Sequence, residues 1–332
     1  MDILTQGLLG ATMAQAGARR GELRLATGIG LVAGLLADAD VLIQSAADPL
    51  LQIEYHRHFT HSVFFVPLGA LLAALLVWPV LRARLPLTRI YLYALLGYSL
   101  SGFLDTCTSY GTYWLWPLVD QRLALNIVSI IDPLFSLMLL IGVVIGWRGQ
   151  SAAAPRLALL LAGGYLLLGW LQHERAQGEL ISLAAQRGHV VERALVKPTL
   201  GNLLLWRSIY ETNGRFQVDA LRVGLGPARI YPGASALRYR PEADPQSPPA
   251  ASLLAADIDR FMTFSDGYVI RLGGAEQGLG DVRYAMLPTS TRPLWGIAFD
   301  PAHPERHAEY QYYRSMSGQE RRRFVDMLLG RP

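Results

Sequence analysis

Apolar runs fill the first half of the chain, and only a few polar residues interrupt them. The stretch 63–81 carries no charged residue and is the clearest transmembrane candidate, since about 20 apolar residues cross a hydrocarbon core. Shorter helices can extend by a turn or two into a polar chamber near the membrane surface. We therefore predict a mainly α fold that begins as a polytopic helical membrane bundle of about six short spans. The apolar stretches are residues 3–18, 25–37, 63–81, 90–104, 127–147 and 157–171.

The pattern changes near residue 175. Apolar and polar residues alternate between 201 and 223, and Asn213-Gly214 is typical of a hairpin turn. Residues 317–329 have the periodicity of an amphipathic helix. We predict two domains, a transmembrane helical domain over 1–174 and a small, soluble β-rich domain over 175–332. Further strand-like segments are 228–231, 236–239, 267–272, 282–286 and 294–298.

Composition supports this division and excludes several classes of protein. Hydrophobic residues make up 52% of the chain and charged residues 17%, against roughly 25% charged in soluble domains. Residues 1–172 contain ten arginines and no lysine, although the whole chain has 30 Lys and Arg. The net charge of +4 is too small and too dispersed to predict nucleic-acid binding. The single cysteine, Cys107, excludes an intramolecular disulfide and a cysteine-rich zinc site.

The arginines also predict an orientation in the membrane. If residues 3–18 span with the N-terminus outside, the inner loops hold eight arginines and the outer loops two, as the positive-inside rule requires. The C-terminal domain is then extracytoplasmic. The same threading places eight acidic, amide and imidazole residues together at the outer end, namely Asp2, Gln6, Asp38, Asp40, His56, His61, Asp105 and Asp132.

A cluster of imidazoles and carboxylates indicates metal chemistry. His56, His58 and His61 lie in the segment YHRHFTHS at 55–62, and Asp38 and Asp40 precede it. Ionisable side chains beside apolar runs are costly and mark functional sites, and imidazole with carboxylate suits zinc, manganese or iron. On a helix the two aspartates diverge, so one would bind metal while the other orients a histidine. The alternatives are an interfacial loop with locally bonded histidines, and aspartates that reach headgroup water.

Two later aspartates and one arginine extend this hypothesis. Asp105 precedes a Tyr-Gly-Thr turn and is a candidate carboxylate ligand; alternatively it caps a helix or pairs with Arg122. Asp132 follows an apolar run and is a further candidate, although Asp before Pro133 is also a common helix start. Arg57 suits an anionic substrate group, or faces lipid headgroups.

These motifs, in this order, resemble the family of membrane-bound metal-dependent hydrolases. Members carry Asp-x-x-Thr-His-x-x-x-Gly, Asp-x-Asp, His-Arg-x-x-Thr-His-Ser and a later Asp ahead of a Tyr-Gly-Thr turn. The resemblance covers about the first 170 residues, and the histidine motif is its most specific part. The matching segments are DILTQGLLG at 2–10, DAD at 38–40, HRHFTHS at 56–62, DTCTSYGT at 105–112 and Asp132-Pro133.

The resemblance implies a set of metal-site residues: Asp38, Asp40, His56, His61, Asp105 and Asp132. The family is distantly similar to zinc-dependent phospholipase C, which implies hydrolysis of phosphoesters or phospholipids. This chain departs from the pattern at one position, where Gln6 replaces the family's histidine. Either one metal of a cluster is lost or altered, or another histidine such as His58 or His173 substitutes.

We therefore predict a multi-pass protein of a bacterial inner membrane that hydrolyses a phosphoester or lipid-linked substrate through metal-activated water. The metal would be zinc, with manganese or iron as alternatives. Asp38 or Asp40 would accept the proton of the water, and Arg57 would hold the substrate anion. The partners predicted are the lipid bilayer and this substrate, and no nucleic acid. The alternative is a non-catalytic membrane protein with a structural or degenerate metal site and a partner-binding C-terminal domain.

Overall fold

The computed structural model describes residues 1–273 and 277–332 and divides into two units. The N-terminal unit comprises Met1–Ile43, Tyr55–Gln172 and Leu200–Leu203. The C-terminal unit comprises Gln44–Glu54, His173–Thr199 and Leu204–Pro332. The boundary expected between residues 174 and 175 falls inside one continuous helix, and the segment Gln44–Glu54 groups with the C-terminal unit.

The N-terminal unit is helical. The first eight helices of the chain are α1 (Ile3–Ala16), α2 (Leu23–Ala37), α3 (Leu51–Tyr55), α4 (Val66–Leu81), α5 (Leu87–Tyr98), α6 (Ser101–Cys107), α7 (Pro133–Gly149) and α8 (Ala153–Gln186). All of α3 except Tyr55, and the part of α8 from His173 onward, belong to the C-terminal unit. Two short 3-10 helices, Asp38–Leu42 and Phe59–His61, follow α2 and α3.

The prediction of six membrane spans is not supported. Within residues 1–273 and 277–332, two segments are long and apolar enough to cross a membrane, Leu23–Leu42 and Ala153–Gln186. A third is possible if Leu51–His61 and Val66–Leu81 together form one span, although they are bent by 91°. The remaining apolar runs yield shorter helices, because 90–104 is divided between α5 and α6 and 127–147 is helical only from Pro133. Helices α1, α4 and α7 have 14, 16 and 17 residues, fewer than a typical span needs.

Glycines allow α1 and α2 to pack backbone against backbone. A Cβ atom on Gly30 would collide with the carbonyl oxygen of Gly10, and one on Gly34 with that of Gln6. Small residues at helix contacts permit this approach in membrane proteins. Gly28 takes no part in this contact, because a Cβ atom there would have no neighbour within 4 Å.

The C-terminal unit contains two four-stranded antiparallel sheets in sequential strand order. The predicted hairpin at Asn213-Gly214 is confirmed between β2 and β3, and both turn residues have positive φ. The predicted strand over 282–286 is wrong, because the β strand lies just before it at Gly278–Asp281. The strands are β1 (Arg193–Pro198), β2 (Leu205–Thr212), β3 (Arg215–Arg222), β4 (Arg229–Leu237), β5 (Val269–Arg271), β6 (Gly278–Asp281), β7 (Trp295–Ala298) and β8 (Glu309–Tyr312).

Helices complete the C-terminal unit. The predicted amphipathic helix is confirmed as α10 (Gly318–Leu329), which begins with a capping box between Ser317 and Glu320. Helix α9 (Leu253–Phe264) was not predicted. The last turns of α8 pack on the first sheet in one apolar cluster that includes Leu180 and Trp206. The coarse prediction of a mainly helical first part and a sheet-containing second part therefore holds.

The segment Gln44–Glu54 is tied to its unit by one arginine. Arg260, on α9, donates two hydrogen bonds to the carboxylate of Asp48 and one to Glu54. It also donates to the buried carboxylate of Asp257, one turn earlier on the same helix. A guanidinium that bonds three carboxylates fixes their relative positions. The chain between Asp40 and His56 is thus anchored to α9.

Candidate metal centre

Three segments of the N-terminal unit bring acidic and imidazole groups together. Asp38 and Asp40 lie in the 3-10 turn that ends α2, His61 ends the second 3-10 turn, and Asp105 lies on α6. Gly102, less than one turn before Asp105, allows this approach because a Cβ atom there would collide with the His61 carbonyl oxygen. A tight backbone contact therefore sets the distance between His61 and Asp105.

Asp38, His61 and Asp105 form a compact triad. One donor atom from each residue lies within 4.8 Å of the other two. His61 Nε2 is 2.9 Å from Asp105 Oδ2 and 3.4 Å from Asp38 Oδ1. The three residues are 6%, 1% and 0% exposed. Among the residues the structure describes, this is the one such group of three or more His, Cys, Asp or Glu residues.

The donor atoms of the triad converge without satisfying one another. Both carboxylate oxygens of Asp38, both of Asp105, and Nε2 of His61 have no hydrogen-bond partner within 1–273 and 277–332. Asp105 is in ion-pair contact with the Met1 amino group and with Arg57 Nε, the latter at 3.2 Å, but neither contact has hydrogen-bond geometry. Buried polar atoms without partners are rare and indicate a bound ion or water. The residues therefore fit a divalent cation.

Asp40 organises the segment around the triad. Its Oδ2 accepts hydrogen bonds from the Arg57 backbone amide at 2.8 Å and the Thr60 hydroxyl at 2.6 Å, and lies 3.3 Å from His61 Nδ1. Its Oδ1 lies 3.0 Å from His56 Nδ1. A carboxylate on Nδ1 leaves Nε2 of each imidazole as the free acceptor. In this geometry Asp38 faces the other ligands while Asp40 orients His61.

Arg57 is held inside the unit by its backbone and side chain. Its φ of 59° is unusual for a residue other than glycine. The Arg57 carbonyl oxygen accepts hydrogen bonds from the Thr112 hydroxyl and the Tyr113 amide, which fix this conformation. The side chain is 4% exposed, and besides the contact with Asp105 it donates to the Met1 carbonyl and to Thr108 Oγ1. Arg57 therefore places positive charge at the edge of the triad.

The structure places the other predicted site residues outside the triad. His56 bonds to Asp40 and is 26% exposed. Asp132 caps α7: one oxygen accepts from the Phe135 amide at 3.1 Å and the other from the Tyr165 hydroxyl at 2.8 Å. Both Asp132 oxygens are thus engaged, as the helix-start alternative requires.

Gln6, which replaces the family's histidine, and the two histidines that could substitute for it, His58 and His173, are not members of the triad. Gln6 is fully buried, and its Nε2 donates to the Ser101 carbonyl oxygen at 3.2 Å, at the start of the helix that carries Asp105. His58 packs against Tyr113, with ring centroids 4.4 Å apart. His173 lies in the C-terminal unit against Trp206.

Thr60 is a functional candidate that the sequence did not single out. Its hydroxyl hydrogen bonds to Asp40, and its backbone carbonyl accepts from the Tyr98 hydroxyl at 2.8 Å. Thr60 therefore ties the carboxylate that orients His61 to α5. The sequence signal for Thr60 was its position between His56 and His61, because a hydroxyl group commonly donates a hydrogen bond to a buried carboxylate nearby.

Comparison with known proteins adds one finding to this geometry. No curated protein and no solved structure matches the chain. The model of a family described as YdjM inner membrane protein matches residues 1–176, which include the triad and all predicted metal-site residues. The match covers more than half of the 332 residues. The chain therefore belongs to the YdjM family of inner membrane proteins.

Proposed function

We propose that this inner membrane protein binds a catalytic divalent metal at Asp38, His61 and Asp105 and hydrolyses a phosphoester. The supporting observation is the convergence of five buried donor atoms that have no hydrogen-bond partner within the described residues. One imidazole with two carboxylates is a donor set that suits zinc, manganese or iron. Zinc is the proposed metal, with manganese and iron as alternatives.

The chain's own residues divide the remaining tasks. A bound metal of this kind lowers the pKa of a coordinated water and polarises a phosphoryl oxygen. Asp38 is the proposed general base, because both of its oxygens are free of hydrogen bonds and one can accept a proton while the other coordinates. Both carboxylate oxygens of Asp40 already contact protein groups, so Asp40 is assigned to orienting His61. Arg57 is proposed to attract the substrate's negative charge.

His56 is proposed to protonate the leaving group. Its Nδ1 is held by Asp40, its Nε2 faces away from that carboxylate, and the side chain is 26% exposed. A histidine oriented by a carboxylate is a common general acid. If His56 is instead a metal ligand, as the family resemblance implies, its loss will remove metal as well as activity.

A lipid-linked phosphate is the proposed substrate class. The 3-10 turn that carries Asp38 directly follows α2, and the two together form a candidate membrane span. A site at the end of a spanning segment suits a phosphate at the headgroup level. We further propose that the site faces the extracytoplasmic side, because Arg19, Arg20 and Arg24 lie near the start of the candidate span Leu23–Leu42 and Asp38 lies near its end.

A structural metal site is the second candidate function. The near-complete burial of the triad favours it, because structural sites are closed whereas catalytic sites keep a position for water. In that case the metal would hold the 3-10 turn that follows α2 against α6, and the protein would not hydrolyse a substrate.

The test is metal content and hydrolysis by the full chain purified in detergent. We expect near-stoichiometric zinc, manganese or iron in the natural chain and loss of that metal in His61→Ala and Asp105→Asn. His56→Ala should keep the metal but lower kcat by about 10²–10⁴-fold on a soluble phosphodiester and on phospholipid micelles. His189→Ala, in the C-terminal unit, is the matched histidine control and should change neither quantity.

Each result separates the candidates. Metal without hydrolysis of any phosphoester supports the structural role and contradicts the enzyme. Failure of the natural chain to retain metal after reloading contradicts both. Hydrolysis that is equal in the natural chain and in His61→Ala would show that the activity arises elsewhere.

A further inference from the structure

Two histidines in the C-terminal unit, His303 and His307, have features that are typical of metal ligands. His303 and His307 line one cleft of about 300 Å³, together with Asp300, Arg306 and Glu309. His303 follows β7 in a turn, and His307 lies just before β8. Neither histidine belongs to the part of the chain that matches the family. The resemblance and the proposed function therefore leave this cleft unexplained.

Each imidazole is oriented by its own carboxylate. His303 Nδ1 lies 2.8 Å from Asp300 Oδ2, and His307 Nδ1 lies 2.8 Å from Asp257 Oδ2. Because a carboxylate accepts a hydrogen bond, the proton of the neutral ring resides on Nδ1 and the lone pair on Nε2. Histidines that bind metals are typically held in this way, with the second nitrogen donating to a carboxylate.

Asp257, the carboxylate that orients His307, is buried and held in place by several hydrogen bonds. Asp257 is 0% exposed, and its carboxylate also accepts from the Ala308 amide at 2.9 Å and from Arg260 at 3.1 Å. Its position is therefore fixed by α9 and by the chain that follows His307. The His303 side chain is 44% exposed and sits in a surface turn, so it is the more adjustable of the two.

The charges of the cleft favour a cation over an anion. Asp300 and Glu309 contribute carboxylates to its lining, whereas the guanidinium of Arg306 is 73% exposed and lies 3.8 Å from Glu305. Within 1–273 and 277–332, neither histidine belongs to a group of three His, Cys, Asp or Glu residues whose donor atoms all lie within 4.8 Å. Water would therefore complete the coordination of any bound ion.

We propose that His303 and His307 form a second, open binding site for a divalent transition metal, with Asp300 and Asp257 as the carboxylates that orient them. Paired imidazoles select zinc, nickel or copper over magnesium and calcium, which prefer oxygen. The site is independent of the triad in the N-terminal unit.

The test uses the full chain in detergent with the triad disabled by His61→Ala. Titration with Cu²⁺ and Zn²⁺ should reveal one site, and the electron paramagnetic resonance spectrum of the Cu²⁺ form should show two coupled imidazole nitrogens. Adding His303→Ala or His307→Ala should weaken binding at least tenfold and remove one nitrogen. Adding His189→Ala should leave both readouts unchanged.

Asp300→Asn is a further test variant, and it changes an exposed residue and leaves the buried core intact. Asp300 is exposed, so its substitution should preserve folding while weakening binding by about 10–100-fold through the loss of His303 orientation. Equal binding with and without both histidines, or an equal loss in His189→Ala, would overturn the proposal. Magnesium or calcium binding at the same affinity as zinc would overturn it too.

Discussion

Lys197 carries its ammonium group into the interior of the C-terminal unit. Its Nζ lies 3.1 Å from the centroid of the Tyr284 ring and has no hydrogen-bond partner in the described part of the chain. Burial lowers the pKa of Lys197 well below its ordinary value of 10.5; the negative charge of Asp281 opposes this, while Arg283 and Arg207 add to it. Compared with the unfolded chain, the folded state therefore favours the neutral amine of Lys197.

We predict that Lys197→Met stabilises the chain at neutral pH by roughly 1–3 kcal/mol, because it removes a buried polar group that lacks a partner. Between the lowered folded pKa and 10.5 the unfolded chain binds more protons than the folded one, so stability should rise with pH in the natural chain. The substitution should flatten this slope. Chemical unfolding of the C-terminal unit, followed in the full chain from pH 7 to 10, measures both effects. A less stable variant with an unchanged slope would contradict the prediction.

At the scale of elements, the contact between α1 and α2 gives a matched pair of substitutions. Gly30→Ala should destabilise the N-terminal unit by about 1–3 kcal/mol, because the added methyl group meets the Gly10 backbone. Gly28→Ala, on the same helix, meets nothing and should be neutral or stabilising by up to about 1 kcal/mol. Thermal unfolding in detergent compares the two. Equal effects would show that backbone contact does not limit this interface.

Local chemistry explains which elements could be predicted. The hairpin at Asn213-Gly214 and the start of α10 at Ser317 follow from turn and capping residues that act within a few positions. Asp132-Pro133 likewise marks the start of α7, whereas the break between α5 and α6 carries no comparable signal in apolar sequence. In such stretches every residue tolerates a helix, so packing against neighbours decides where each helix ends.

At the scale of the whole molecule, the proposed orientation places the C-terminal unit outside the cytoplasm and the loop after α4 inside it. We expect a membrane-impermeant maleimide to label Leu225→Cys from outside intact cells, and Arg84→Cys only after the membrane is opened. Both positions are exposed, and the natural chain is a suitable background because Cys107 is buried. The opposite labelling pattern would reverse the proposed orientation.

Composition, periodicity and rare polar residues are local properties, and they were enough to predict the membrane character of the first half, the sheet-containing second half and the candidate ligands. Which of those ligands meet depends on how distant segments pack. Asp38, His61 and Asp105 are far apart in the chain and come together through the close approach at Gly102. Asp40 and Asp132 are similar acids, yet their hydrogen bonds engage them elsewhere. Spacing along a chain limits which side chains share a helix face, whereas backbone packing alone fixes distances between segments.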